Sequence, residues 1–290
     1  MKIPILHISQ FKESAPVHDV YVNSFSNHIA LNKHLINIPH SHNFYLCVLF
    51  TKGTGRHEID FNSYSITPGK VFFLKPGQTH FWEFETAPEG FIFFHSQEFY
   101  ELKFLNHTLD TFPFFYSYQN PPVLELAPQK LHELQLKFQE VYTEYLENNL
   151  FRALKIVNLF NHIYIELSRV YTDDISLETF ISPNYSNIFE NLEGLINTHF
   201  YKEKLPKFYA NQLCITTKHL NRVVKKATDK TTSQLISERI ILEAKRLIVH
   251  SSYNLANIAY TLEFSDYAYF SKFFKLKTGM TPMDFRKKYF

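Results

Sequence analysis

The sequence predicts an α+β chain of two domains, in which a β-barrel with flanking helices precedes an all-α domain of two helix-turn-helix units joined by a linker helix. Five short runs rich in aromatic and β-branched residues fill much of residues 44–96, with turn signals between them. One helix-turn-helix pattern is written twice between residues 209 and 275. We therefore expect domains at 1–170 and 188–290, with a linker at 171–187.

The charge is divided between the two predicted domains. The net charge of the 290 residues is +2, but residues 1–200 hold 13 Lys/Arg against 21 Asp/Glu, and residues 201–290 hold 17 against 7. A basic domain beside an acidic one indicates contact with a polyanion such as nucleic acid. On charge alone, a solvated lysine-rich surface is an open alternative.

The cysteines and the apolar runs point to a soluble cytoplasmic protein. Cys47 and Cys214 lie in separate apolar segments and offer neither a disulfide framework nor a zinc-binding spacing. No apolar run reaches the roughly 18 residues of a membrane helix, and the N-terminus lacks a signal-peptide pattern. No membrane contact is expected.

The β-rich part begins near Pro39. Its predicted strands lie within residues 44–53, 55–61, 70–77, 80–85 and 90–96, at the spacing of a sandwich or barrel. A histidine pair, His40 and His42, precedes them, and the turn KPGQ leads to His80. This arrangement resembles a cupin-like barrel, in which a histidine-bearing strand and a P-G-x-x-H turn line the mouth.

The resemblance implies a pocket for a small effector, with His40, His42, His80 and Trp82 as candidate lining residues. His40 and His42 face the same side of a strand, because side chains alternate. Metal-binding cupins place a glutamate shortly after the histidine pair, but the next carboxylate here is Glu58. We therefore favour polar histidines beside a small-molecule cavity and expect no metal and no other cofactor. The alternative is a metal-dependent cupin enzyme fused to a DNA-binding tail.

Two helices follow the β-rich part. Pro128 marks a helix start, and an apolar seam of heptad type continues through Leu131, Leu134, Phe138, Val141 and Tyr145. A second apolar helix covers residues 151–170. The two helices either cover the barrel or form a dimerisation surface, and the sequence favours neither. Residues 171–187 have the acidic, Ser/Thr/Pro-containing composition of a linker.

The doubled motif comprises YANQLCITTKHLNRVVKK from Tyr209 and NIAYTLEFSDYAYFSKFFK from Asn257. Superposed on Ala210 and Ala259, the apolar positions correspond; the pairs are Leu213 with Leu262, Ile215 with Phe264, Leu220 with Phe270, and Val224 with Phe274. Residues 231–250 between the copies predict a helix of about 18 residues, roughly 27 Å long. Such a spacer holds two recognition helices near the ~34 Å pitch of DNA.

The last hundred residues resemble the DNA-binding domain of AraC-type transcription regulators. The resemblance is carried by Ala210, Thr216, Leu220, Arg222, Lys225, Arg239, Ala244, Ile258, Ala259 and the stretch FSDYAYFSKFFKLKTGMTPMDFR. Glu263 and Asp229 stand where that family usually has glycine, and Val224 stands where it has phenylalanine. Because positive φ suits Asp better than Glu, we expect strain at the second turn.

The resemblance implies two sets of DNA contacts. The expected base-reading residues are Lys218, Asn221 and Arg222 in the first recognition helix and Tyr267, Ala268, Ser271 and Lys272 in the second. The expected phosphate contacts are Thr216, Thr217, Lys225, Ser265, Lys275 and Lys277. For a single lysine, a solvated surface charge is an equally open interpretation.

Together these features indicate a sequence-specific transcription regulator, and not an enzyme. The partners that this function implies are promoter double-stranded DNA, a small-molecule effector, a second copy in a homodimer, and RNA polymerase. A third possibility is an architectural DNA binder whose barrel only dimerises.

Overall fold

The computed structural model describes residues 4–11, 17–36, 38–104, 108–116, 120–173, 183–251 and 253–289. The chain divides into two compact units, one of Pro4–Ser176 and the other mainly of Leu177–Phe290. Helices continue to Asp173 and resume at Pro183, so both ends of the predicted linker are helical, and residues 174–182 lie outside the described residues. Within the described part, no helix has the length and apolarity needed to cross a membrane.

The N-terminal unit is a sandwich of two five-stranded sheets. Its strands are β1 Ile5–Leu6, β2 Val20–Ser24, β3 His40–His42, β4 Tyr45–Lys52, β5 Gly55–Ile59, β6 Asn62–Ile66, β7 Lys70–Leu74, β8 Thr79–Phe84, β9 Glu89–His95 and β10 Val123–Glu125. Sheet A has the order β1-β3-β8-β5-β6, and sheet B has the order β10-β7-β4-β9-β2. The five predicted strands are confirmed as β4, β5, β7, β8 and β9. Within the residues that the structure describes, they form an open sandwich and not a closed barrel.

Sheet B is buried on both faces. Along β4, Tyr45, Cys47 and Leu49 belong to the core shared with helices, whereas Leu46, Val48 and Phe50 belong to the core between the sheets. Such a strand has no polar face, which explains the continuous apolar runs in the sequence. Sheet B is therefore the central layer of this unit.

In the described part of this unit, five α-helices accompany the sheets: α1 Phe25–Ile36, α2 Gln97–Glu101, α3 Pro113–Tyr116, α4 Pro128–Leu146 and α5 Arg152–Asp173. Helix α1 was not predicted, because two of its four buried residues, His28 and Asn32, are polar and interrupt the apolar stripe. Helices α4 and α5 pack together on the outer face of sheet B.

The predicted heptad seam of α4 faces inward. Leu134, Phe138, Val141 and Tyr145 are all buried in the core shared with sheet B and α5. Of the two interpretations of this seam, intramolecular cover is the one that the structure shows.

The C-terminal unit is helical and contains the two predicted helix-turn-helix units. Its helices are α6 Pro183–His199, α7 Pro206–Gln212, α8 Thr217–Thr228, α9 Thr232–His250, α10 Leu255–Thr261, α11 Tyr267–Thr278 and α12 Pro282–Tyr289. The pairs α7–α8 and α10–α11 are the two units, and α9 is the predicted spacer. A capping box between Thr231 and Gln234 defines the start of α9.

The two copies differ by one residue in their turns. Residues 213–216 join α7 to α8, and residues 262–266 join α10 to α11. When the two copies are aligned on Ala210 and Ala259, the residues therefore correspond only up to Ile215 and Phe264. Beyond this point the second copy has one additional residue, and α8 and α11 correspond once it is skipped.

Backbone angles show where the turns carry strain. Glu263 has a φ of 51° and Asp229 a φ of 55°, as expected for positions that favour glycine. Cys214, the counterpart of Glu263, has a φ of 53°, which the sequence comparison did not anticipate. Both turns are thus held in a left-handed conformation without glycine.

Replacing Glu263 with glycine should stabilise the C-terminal unit by on the order of 0.5 kcal/mol. The left-handed conformation costs a non-glycine residue roughly 1–2 kcal/mol, and the larger entropy of glycine in the unfolded chain offsets part of this gain. Urea unfolding followed by far-UV circular dichroism measures the change. Asp229→Gly is the matched control and should gain less, because Asp tolerates positive φ. Destabilisation by Glu263→Gly would contradict the strain argument.

Candidate nucleic-acid interface and ligand site

Helix α8 presents one basic face. Lys218, Arg222, Lys225 and Lys226 are exposed, at spacings of four, three and one residues. Leu220, Val223 and Val224 on the opposite side are fully buried. Among the described residues, no ion pair involves these four cations. This face is therefore available to an anionic surface.

Helix α11 presents a mixed face at corresponding positions. Ala268, Lys272, Lys275 and Lys277 are exposed, and Tyr269 is 56% exposed. Phe270 and Phe274 are buried and anchor the helix. Alanine and tyrosine can make apolar contacts with thymine methyl groups, whereas the lysines can contact phosphates or guanine.

The two recognition helices begin with different N-caps. The hydroxyl oxygen of Thr216 accepts a hydrogen bond from the His219 amide at 3.1 Å, and a carboxylate oxygen of Asp266 accepts one from the Tyr269 amide at 2.7 Å. The Ser265 hydroxyl donates to the Asp266 carboxylate at 3.3 Å. The N-terminus of α11 thus already holds a negative charge, which opposes a DNA phosphate at Ser265, whereas the N-terminus of α8 is capped by a neutral group.

The side chain of Asn221 makes a hydrogen bond within the protein. Its amide oxygen accepts a hydrogen bond from the backbone amide of Thr232 at 3.0 Å, at the start of α9. A bidentate contact with adenine needs both the oxygen and the nitrogen of the amide. The expected reading of adenine by Asn221 would therefore break this link between α8 and α9. Ser271, its counterpart in α11, is half-buried.

Arg222 remains oriented at the surface. Its guanidinium donates to Nδ1 of His219 at 3.1 Å, one turn earlier on the same helix. This contact uses one of the five N–H groups and fixes the direction of the side chain. The other donors can contact O6 and N7 of a guanine.

Two exposed residues of these faces were missed in the sequence. Lys226 extends the basic face of α8 by one position, and Tyr269 lies beside Lys272 on α11. Lys226 was missed because its counterpart in α11 is Leu276, so the repeat gave no matching charge. Thr217 and Tyr267, the first residues of the two helices, are half-buried.

A second candidate site lies on the inner face of sheet A. His40 and His80 are paired across β3 and β8, and His57 is paired with Trp82 across β5 and β8. The ring centroids of His40 and His80 are 4.3 Å apart, and those of His42 and His80 are 5.2 Å apart. The structure thus brings together all four predicted pocket residues and adds His57. The alternation of side chains along β5 places His57 on the inward side of the strand, and this pattern could have predicted it from the sequence.

Hydrogen bonds fix the tautomers of two of these histidines. Nδ1 of His40 lies 2.9 Å from the Ile38 carbonyl oxygen, and Nδ1 of His42 lies 2.7 Å from that of Phe44. Because a carbonyl oxygen only accepts, both Nδ1 atoms carry the proton and both Nε2 atoms present a lone pair.

Four nitrogens of the site have no protein partner. Within the described residues, Nε2 of His42, Nδ1 of His57, Nε2 of His80 and Nε1 of Trp82 are buried and make no hydrogen bond. Nε2 of His57 and Nδ1 of His80 share one proton at 3.0 Å, so the far ends of this pair provide one donor and one acceptor. Buried polar atoms without partners are costly, which favours a ligand that hydrogen-bonds here.

Burial keeps these histidines neutral. It lowers the pKa of His28 and the pKa of His42 to about 3, with a further contribution from His40. Burial, together with the neighbouring histidines, also holds the pKa of His57 and the pKa of His80 well below the usual range.

The site does not fit a metal ion, although a cupin-like fold implies one. Among the described residues, no group of three or more His, Cys, Asp or Glu side chains has the arrangement that could hold a metal. Asp60, which is near His42, is occupied by the amide of Gln78 at 3.2 Å and the backbone of Thr79 at 3.1 Å. The donors are arranged for hydrogen bonding.

Comparisons with known proteins agree with this division of the chain. Residues 31–157 match the AraC-like ligand binding domain, and residues 209–288 match a helix-turn-helix domain. The transcriptional activator RhaS of Escherichia coli O81 (strain ED1a) is 25% identical over 250 residues, which cover 86% of this chain and 87% of RhaS. RhaS of Escherichia coli strain SMS-3-5 is 24% identical over the same length and coverage.

Among solved structures, an apo ToxT variant from Vibrio cholerae aligns over 93% of this chain and 97% of its own, with a TM-score of 0.43 and 14% identity. Unsaturated fatty acid bound ToxT from Vibrio cholerae aligns over 92% of this chain and 94% of its own, with a TM-score of 0.41 and 14% identity.

The protein is thus a DNA-binding transcription regulator in which a helix-turn-helix domain follows a ligand-binding domain. It combines an AraC-like ligand-binding domain with an AraC-type helix-turn-helix domain.

The N-terminal unit should lose stability as the pH falls from 7.5 to 5.5. The histidine pKa values are lower in the folded state than in the unfolded chain, so the unfolded chain binds more protons below pH ~6.5. Stability is then full above that pH and falls by about 1.4 kcal/mol per pH unit for each histidine that stays neutral. Trp82 is the only tryptophan, so its fluorescence during urea unfolding reports on this unit.

His80→Gln should reduce the slope of the free energy of unfolding against pH by the contribution of about one proton. The matched control is His18→Gln, which removes a histidine whose side chain is 94% exposed; the slope should fall more for His80→Gln than for this control. A free energy of unfolding that stays constant between pH 7.5 and 5.5 would contradict neutral burial of the cluster.

Proposed function

We propose that α8 and α11 enter successive major grooves of one promoter duplex and that the two helices have different roles. The basic, unpaired face of α8 is the observation that carries this proposal. Lys218 and Arg222 read bases in the first groove, and Thr216, Thr217 and Lys225 contact the phosphates beside it. In α11, Tyr267, Ala268, Ser271 and Lys272 lie toward the bases, while Lys275 and Lys277 lie toward the backbone. The phosphate contact expected at Ser265, which precedes α11, is disfavoured by Asp266.

The first helix supplies more of the sequence choice, and the second more of the anchoring. Arg222 is held in place by His219 and offers the bidentate chemistry that guanine requires. Asp266 at the start of α11 disfavours close phosphate contact there, so the anchoring by α11 falls to Lys275 and Lys277 near the end of the helix. Asn221 supports α8 from behind through its bond to α9.

Arg222→Ala should weaken binding by about 1–3 kcal/mol and relax the choice of base at one position. A mobility-shift titration, with duplexes selected by the wild-type protein from a randomised pool, measures both effects. The matched control is Lys226→Ala, which removes an exposed charge from the same helix and should weaken all duplexes equally. If Arg222→Ala keeps the same preference at every base position, the assignment is wrong.

We also propose that the partnerless nitrogens of sheet A bind the effector. His40, His42, His57, His80 and Trp82 offer donors and acceptors without a charge, which suits an uncharged polar group of a small molecule. Binding there would be read from Trp82 fluorescence. This arrangement favours an effector domain over a metal-dependent cupin enzyme, for which elemental analysis would have to find stoichiometric metal. It also favours an effector domain over an architectural protein, which would respond to no small molecule.

A homodimer is proposed through the turn between α4 and α5. The α4 seam is used internally, but Leu146, Leu150, Phe151 and Leu154 around this turn are 60%, 83%, 70% and 49% exposed. Four neighbouring apolar side chains on a soluble surface are typical of an interface.

The names of the RhaS relatives describe activators, which supports promoter activation through contact with RNA polymerase.

Leu150→Asp should raise the dimer dissociation constant by tenfold or more, because an apolar contact is lost and a charge is buried in its place. Sedimentation equilibrium of the full chain measures it. The matched control is Leu102→Asp, which places the same charge at a residue that is 70% exposed elsewhere in this unit and should leave the constant unchanged. An equal effect of both substitutions, or of neither, would argue against this surface.

A further inference from the structure

Lys204 connects the two helix-turn-helix units outside the spacer helix. It lies in the segment between α6 and α7, which leads into the first unit. Its ammonium group donates to the Tyr201 carbonyl oxygen at 2.6 Å and to the Glu263 carbonyl oxygen at 3.0 Å. The same nitrogen lies 4.9 Å from the ring centroid of Phe264. A side chain of the segment that leads into the first unit therefore contacts the turn of the second.

The contacted turn determines the direction of α11. Glu263 is the residue with a φ of 51°, and Phe264 follows it as the apolar residue buried between the helices of the unit. The Phe264 ring lies 5.2 Å from that of Phe270 and 5.4 Å from that of Phe273, both on α11. Lys204 thus holds both the backbone of the turn and the aromatic side chain that fixes the recognition helix.

The contact is built into the fold and is not a chance surface contact. Lys204 is half-buried, whereas Lys202, two residues earlier, is exposed. Burial lowers the pKa of Lys204, and the carboxylates of Glu263 and Glu203 oppose that shift. Hydrogen bonds from a charged donor are about twice as strong as neutral ones, and partial burial increases their contribution.

Helix α9 packs against both α8 and α11 and so sets their separation. The contact of Lys204 with the turn before α11 does not pass through α9. It therefore adds a second, independent restraint on the angle between the two recognition helices. When two binding elements are held in the geometry that the target requires, the second binds at a high effective concentration and without an ordering cost.

We infer that Lys204 is a positioning residue that fixes the angle of α11 relative to α8, so that both helices bind one duplex together. The inference rests on the proposed binding of one duplex by the two helices. Lys204 touches no DNA in this arrangement; it acts through the turn at Glu263 and Phe264.

Lys204→Met tests the inference, since it keeps the length of the side chain and removes its charge and hydrogen bonds. The full-length protein is titrated with a duplex selected by the wild type and with a shorter duplex that ends before the groove that α11 enters. Lys204→Met should weaken binding to the selected duplex roughly tenfold, the size of a typical coupling between two sites, and leave binding to the shorter duplex unchanged. Lys204→Arg, which can still donate to both carbonyl oxygens, should retain most of the coupling.

Lys202→Met is the matched control, because it removes one positive charge from the same segment. It should weaken binding to both duplexes by the same small factor. The inference is overturned if Lys204→Met raises the dissociation constant by the same factor on both duplexes, as Lys202→Met is expected to do. The proposed function would then remain intact. If the wild type itself binds both duplexes equally, the proposed function fails and the inference fails with it.

Hydrogen exchange gives a second measurement that does not depend on DNA. The amides of Phe264 and of the first turn of α11 should exchange faster in Lys204→Met than in the wild type, while those of α8 stay unchanged. Unchanged exchange at Phe264 also overturns the inference. If Lys204→Met binds DNA too weakly to titrate, hydrogen exchange alone tests whether Lys204 positions α11.

Discussion

The buried stripe of helix α9 is the constraint on which the DNA-binding unit depends. Leu235, Ile236, Ile240, Ala244 and Ile248 are almost completely buried, and α7, α8, α10, α11 and α12 all pack against this helix. Neither helix-turn-helix unit has enough apolar surface to be stable alone, so both share one core. The positions of the two recognition helices are consequently set by the same side chains, and their outer faces are left for DNA.

Polar contacts at the ends of the helices complete this frame. Asn221 joins α8 to the start of α9, and the Arg286 guanidinium joins α12 to the carbonyl oxygens of Ile248 and Tyr253 at 3.0 and 2.8 Å. Lys204 joins the segment before the first unit to the turn of the second. These side chains carry charge or amide groups that resemble DNA-contacting chemistry in the sequence, yet their partners lie inside the protein.

The N-terminal unit has two cores, one that stabilises the fold and one that contains the candidate ligand-binding atoms. The core between sheet B and helices α4 and α5 is mainly apolar, and its burial stabilises the unit. The core between the sheets contains apolar side chains from sheet B and, from sheet A, histidines with partnerless nitrogens. A neutral, desolvated group of hydrogen-bonding atoms is unfavourable for folding and favourable for a ligand, and sites of function commonly break local rules in this way.

Much of the architecture could be read from the residues themselves. Aromatic and β-branched runs defined the main strands, because strands buried on both faces need continuous apolar residues. Repeated apolar spacing defined α7, α8, α10 and α11, and the glycine-favouring positions at Glu263 and Asp229 took left-handed angles because backbone sterics act locally. Helix α1 escaped prediction because the polar residues His28 and Asn32 lie on its buried face.

What the sequence determined by itself is the class of protein, through local patterns of apolar spacing and charge. Only the tertiary structure decided how particular side chains are used. The pattern of the α4 seam suited internal cover and a dimer interface equally, and its side chains pack against sheet B and α5. Asn221 had the chemistry of a base reader, but its oxygen is bonded to Thr232. His57 joined the ligand site, and Lys204 joined the two units, because residues far apart in the chain meet only when the elements pack, and no local pattern encodes that meeting.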